Sequence, residues 1–105
     1  MEIAKYILEI FKYYLPIVWS WGFNKPVAIE NGLRFRVQGF LHNGLVEVLY
    51  DAGYDLFRVR LLNADGGIKQ EQEGIYVDGL VDCIDRMVEK TDDYVSRINA
   101  EYGWH

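Results

Sequence analysis

From Val77 to Tyr102 the hydrophobic residues recur with a helical rhythm. Val77, Leu80, Val81, Ile84, Met87, Val88, Tyr94, Val95, Ile98 and Tyr102 follow the spacing i, i+3, i+4, i+7, with Thr91 continuing the stripe. At about 100° per residue these side chains share one side of a helix. Asp82, Asp85, Glu89, Asp92 and Asp93 fall on the other. Asp78 is the expected N-cap, Asp82 and Asp85 suit the positive end of the helix dipole, and Gly103 is the expected stop before Trp104 and His105.

Residues 2–15 predict a first helix, ended by Pro16 because proline disfavours helical geometry in its predecessor. Its apolar arc is broad: Ile3, Ile7, Ile10, Phe11 and Tyr14 form the centre, and Tyr6, Leu8, Tyr13 and Leu15 spread onto the flanks. A helix this widely apolar is expected to touch two surfaces, its own sheet and a second element or subunit. In Pro16–Phe23, Trp19, Trp21 and Phe23 alternate, the pattern of an extended segment. These rings either plug the end of the core or form an aromatic contact surface, because Trp and Tyr dominate interface hot spots.

From Lys25 to about Gln72 the pattern is an antiparallel meander, with strands near 26–30, 34–41, 45–51, 56–62 and, weakly, 68–72. Asn31-Gly32 and Asn43-Gly44 are the strongest hairpin dipeptides. A two-residue turn at Asn43-Gly44 sets Leu41 opposite Val46 and Val37 opposite Tyr50. A four-residue loop at Ala52–Asp55 sets Val48 beside Val59 and Val46 beside Leu61. For the first hairpin, a bulged turn Glu30-Asn31-Gly32 with Gly32 left-handed places Val27 and Ile29 beside Phe35 and Leu33. One face then gathers Phe35, Val37, Val48 and Val59; the other carries Arg34, Arg36, Gln38, Phe40, Leu45, Glu47, Leu49, Arg58 and Arg60. This register puts Arg36 beside Asp51 and Glu47 beside Arg60. Lys69–Glu73 is either an edge strand protected by charge or a loop.

The fold class expected is therefore α+β: an N-terminal helix, an antiparallel β-meander of four to five strands and a C-terminal amphipathic helix, packed as a two-layer sandwich. At 105 residues, half of them hydrophobic, residues 1–105 are expected to form a single domain. The net charge of −5 is uneven, since residues 77–102 hold seven acids against three bases. That acidic face disfavours nucleic acid and acidic lipid as partners. The uncharged run Tyr13–Phe23 spans eleven residues, short of the roughly 20 that cross a bilayer, and no signal peptide is expected. Cys83 is the single cysteine, so no internal disulfide forms and a cytoplasmic location is expected.

Catalytic signatures are absent from the sequence. His42 and His105 are the only histidines, and with Cys83 they match no zinc spacing; no metal or cofactor is expected. Ser20, Thr91 and Ser96 lie in no nucleophile elbow, and the glycines match no phosphate-binding loop. Cys83 at the edge of the helical stripe reads as a packed, inert thiol. Four of the six arginines, Arg34, Arg36, Arg58 and Arg60, share the open sheet face with Phe40, and RNA-binding sheets also combine basic and aromatic residues.

Three functions fit these residues. The first is a non-enzymatic interaction module binding a protein partner or a second copy through Tyr13, Tyr14, Trp19, Trp21 and Phe23, or through Phe40, Leu45 and Leu49. It is favoured because the apolar and aromatic residues exceed what one small core needs. The second is a single-stranded nucleic-acid binder using the arginine face. The third is a small-molecule domain with an aromatic pocket between Tyr13, Tyr14, Trp21 and the end of the sheet.

Overall fold

The computed structural model describes residues 2–89. Its elements are α1 (Ile3–Lys12), α2 (Leu15–Ser20), β1 (Asn24–Ile29), β2 (Gly32–Gln38), β3 (Asn43–Asp51), β4 (Leu56–Leu62), β5 (Ile68–Ile75), a 3-10 turn (Val77–Gly79) and α3 (Leu80–Val88). The strands form one antiparallel meander in the order β1-β2-β3-β4-β5, and the helices cover one of its faces. This is the expected α+β architecture. Val48 and Val59 are fully buried on the helix side while Arg36 is exposed on the other. Residues 90–102 of the expected last helix, and the stop at Gly103, lie outside the described residues.

Two local expectations are corrected between the first helix and the sheet. α1 ends at Lys12, where Tyr13 and Tyr14 donate to the Ile10 and Phe11 carbonyls in a tightened last turn. Pro16 then begins a second helix instead of an extended segment. Its missing N–H costs nothing in a first turn, and its fixed φ favours helical geometry. On this helical path Trp19 and Trp21 are separated by about 200°, not aligned as they would be in a strand. Trp19 therefore faces outward and Trp21 inward.

The hairpins were legible in part. β3 and β4 pair as expected, Val48 with Val59, Val46 with Leu61 and Glu47 with Arg60, across the Ala52–Asp55 loop. The β2–β3 loop is corrected: it comprises Gly39–His42, and Asn43 and Gly44 belong to β3. Phe35 thus pairs with Val46, Leu33 with Val48 and Arg36 with Leu45. The slip from the expected register is an even number of residues, so every side chain keeps its face. The first turn is also corrected. Glu30 and Asn31 form it, Asn31 takes the left-handed conformation (φ 58°), and Val27 pairs with Arg34. Gly32 is a strand residue instead, at a point where a Cβ would collide with the Val48 carbonyl oxygen. β5 is a strand, paired to β4 and rich in exposed charge, which protects the edge of the sheet.

In α3 the apolar stripe is buried as expected, but its start and two acidic positions are not as expected. The N-cap is Gly79 with no side-chain cap, because Asp78 lies within the preceding 3-10 turn. Asp85 and Glu89 are buried rather than solvated. Asp85 lies four residues after Val81 and three before Val88, so it shares their side of the helix. There it accepts a hydrogen bond from the Trp21 indole N–H at 2.9 Å. That bond ties α2 to α3 over a ring cluster in which Phe11 meets Trp21 and Phe35 edge-on, at centroid distances of 5.8 and 5.6 Å.

Candidate functional site

The open sheet face carries a row of alternating charge. Arg34, Glu47, Arg60 and Glu71 stand opposite one another on β2, β3, β4 and β5. Both Arg34 Nε and Nη2 donate to Glu47 Oε2, at 2.9 and 2.6 Å, and Arg60 Nε donates to Glu71 Oε2 at 2.5 Å. Arg60 Nη1 also lies 4.0 Å from Glu47 Oε1, and Arg58 pairs with Glu73 at 2.8 Å. The two arginines fold over Glu47 and bury it on what would otherwise be an open surface. Partly exposed pairs of this kind contribute about 0.2–1 kcal/mol each. Their larger effect is electrostatic: three of the four arginines are neutralised within the sheet, and Arg36 alone of the four makes no ion pair among the described residues. Protein cations bind a phosphate backbone by releasing the counterions condensed on it, and arginines already paired with carboxylates offer little for this. Leu45 and Leu49 flank the charged row and are half-buried. Phe40 is corrected from the sheet face to the Gly39–His42 loop, a consequence of the β2–β3 register.

Among the described residues, seven of the twelve exposed large hydrophobic side chains fall in residues 13–19 and the β2–β3 loop, while Val27, Tyr54, Ile68, Tyr76 and Val77 are exposed elsewhere. Tyr13 is 84% exposed and Trp19 70%, with Tyr14, Leu15 and Ile17 each near 40%. The Trp21 carbonyl accepts the Gln38 N–H at 2.6 Å, which sets this helical corner beside the loop bearing Phe40 (60%) and Leu41. Of the two readings open for it, core plug and contact surface, Trp21 takes the first, which corrects its place in the candidate interaction surface. It is fully buried, and Phe23 packs beside it on Phe35 at 4.8 Å.

A concavity of about 1080 Å³ lies at the opposite end of the sheet, lined among others by Glu30, Leu49, Tyr54, Leu56, Arg58 and Glu73. Two of its lining groups are engaged with each other, Arg58 with Glu73, and the Tyr50 hydroxyl donates to Asp55.

His42 lies in the β2–β3 loop, and its burial carries no sequence signal. It is 2% exposed, with Nε2 3.0 Å from the Leu45 carbonyl and Nδ1 3.5 Å from Lys69 Nζ. Burial lowers its pKa below the ordinary imidazole value; the Leu45 carbonyl opposes this, and the Lys69 charge adds to it. Cys83 is buried, with Sγ 3.8 Å from Met87 Sδ, and burial raises its thiol pKa. The raised pKa suppresses the thiolate and burial blocks access, so aromatic disulfide reagents at pH near 8 should label native Cys83 at least about tenfold more slowly than the denatured chain. Equal rates would mean the thiol is accessible.

Among the described residues no group of three His, Cys, Asp or Glu side chains could hold a metal ion, and no helix is long and apolar enough to cross a membrane. The chain matches no protein-family model, and neither the curated proteins nor the solved structures contain a significant match to it.

Proposed function

We propose that the protein is a small, non-enzymatic interaction module that associates with a second copy of itself through its apolar end. The observation that carries this is the exposure of Tyr13, Tyr14, Leu15, Ile17 and Trp19 within seven consecutive residues, next to Phe40 and Leu41. Large side chains present about 150–250 Å² each when free, so these exposed fractions amount to roughly 700 Å². An ordinary monomer exposes apolar patches of only about 300–600 Å², and each partner in a standard interface buries about 800 Å².

A second copy is the occupant that best suits the chemistry. No charged residue lies between Lys12 and Lys25, so the patch can meet itself across a two-fold axis without burying like charges. A negatively charged chain with three of its four sheet arginines already paired has no comparable surface for nucleic acid. A cytoplasmic setting belongs to the same reading, supported by a lone cysteine that is buried and unbridged. Sedimentation velocity from low to high micromolar concentration tests the proposal. The expected result is a concentration-dependent shift from monomer to dimer; a monomer throughout would contradict it.

A further inference from the structure

We propose that His42 is a latch that fixes the Gly39–His42 loop, and that protonation of its ring releases the loop and weakens self-association through the apolar end. This regulation rests on the self-association proposed above. The loop is held at both sides of Leu41. Its N–H donates to the Val88 carbonyl at the end of α3 (2.8 Å), and its carbonyl accepts from Lys69 Nζ on β5 (2.9 Å). Gly39 presses so closely on Val88 that a Cβ there would collide with the Val88 carbonyl oxygen. The Gly39 N–H also donates to the His42 carbonyl (2.9 Å), closing the loop, and these contacts together position Phe40 and Leu41.

His42 controls one of them. A carbonyl only accepts, so the contact with Leu45 places the ring hydrogen on Nε2 and leaves Nδ1 as a lone pair facing Lys69. A second proton on Nδ1 would aim a positively charged N–H at an ammonium group 3.5 Å away. The ring and Lys69 cannot both keep their places in that state, and displacing Lys69 removes the donor from the Leu41 carbonyl. Lys69 is the charged group that β5 brings to the ring; Glu89, buried beside Val88, is the titratable group that α3 brings to this corner. The direction of the effect follows from linkage. A histidine whose folded-state pKa is depressed contributes its full stability above the unfolded value of about 6.5, and this is lost as pH falls through the lower, folded value.

The test follows amide exchange and ring titration by NMR in the full chain between about pH 7.5 and pH 5, with sedimentation under the same conditions. In the wild type, the His42 ring should titrate below the midpoint of an ordinary histidine. The Leu41 amide protection factor should fall in step by about tenfold more than that of the core amide of Val48, which reads the global loss of stability alone. His42→Gln should abolish this response. Should that variant not fold, Lys69→Met serves instead, and its His42 midpoint should move up toward the ordinary value. The dimer dissociation constant should rise about tenfold over the same range in the wild type. A ring that titrates while Leu41 protection stays constant overturns the latch, as does a His42→Gln variant that keeps the wild-type pH response. Loosening of the loop without weakening of the dimer overturns the regulation alone. A chain that is monomeric at every pH overturns the self-association and the regulation with it, while the amide response still decides the latch.

Discussion

Replacing Trp21 with alanine should cost about 3–5 kcal/mol of folding stability, the range for deleting a large buried ring. A domain of this length holds about 5–15 kcal/mol in total, so the variant would lose a large share of its stability. The position explains the size of the effect. The indole is fully buried among Phe11, Phe23 and Phe35, and its N–H is the donor that links α2 to Asp85 of α3. Trp21→Phe separates the two contributions. It keeps most of the apolar ring but deprives the buried Asp85 carboxylate of this donor, for an expected loss of about 1–3 kcal/mol. Urea unfolding would read both as a lowered midpoint at unchanged slope. A loss below about 1 kcal/mol in Trp21→Ala would mean that the ring is not part of the core.

Trp19, two residues earlier, should behave in the opposite way. Trp19→Asp should leave stability within about 0.5 kcal/mol, because the side chain stands mostly in water. Self-association should nonetheless collapse. A central aromatic anchor contributes about 2 kcal/mol or more, and a two-fold interface uses it twice. The expected loss is then about 4 kcal/mol, or roughly a thousandfold in the dimer dissociation constant. Unchanged association in this variant would place the contact elsewhere on the molecule.

The different fates of these two tryptophans also mark how far the fold was legible in the sequence. Alternation at Trp19, Trp21 and Phe23 imitates a strand, and Pro16 resembles a stop; as the first turn of α2 it is a start. Longer patterns were more reliable. The apolar stripe of α3 and the alternating faces of β3 and β4 place Val48, Val59, Ile84 and Val88 in the core as expected, because burial imposes those periods over many residues. The β2–β3 turn shows why local chemistry was insufficient. Asn43-Gly44 suits a tight turn, yet Val88 and Lys69 hold a longer loop from outside the hairpin, and neither contact leaves a trace in the local pattern.

The candidate site was legible in the same uneven way. Glu47 beside Arg60 followed from the strand register, and exposure at Tyr13 and Trp19 was one of two outcomes open to so apolar a stretch. Asp85 could have been placed from its spacing to Val81 and Val88, although an acid at such a position is ordinarily read as the solvated edge of the stripe. Burial of His42 could not, since it depends on Lys69 and the carbonyls of a loop whose register was itself misread.

The most direct measurement is a map of backbone amide shifts recorded as protein concentration rises from low to high micromolar. If two copies meet through the corner between α1 and α2, the shifts should move for residues 13–19 and for Phe40 and Leu41, and stay fixed along β5 and the arginine row. Movement centred on Arg34, Arg58 and Arg60, or no movement at any residue, would contradict it.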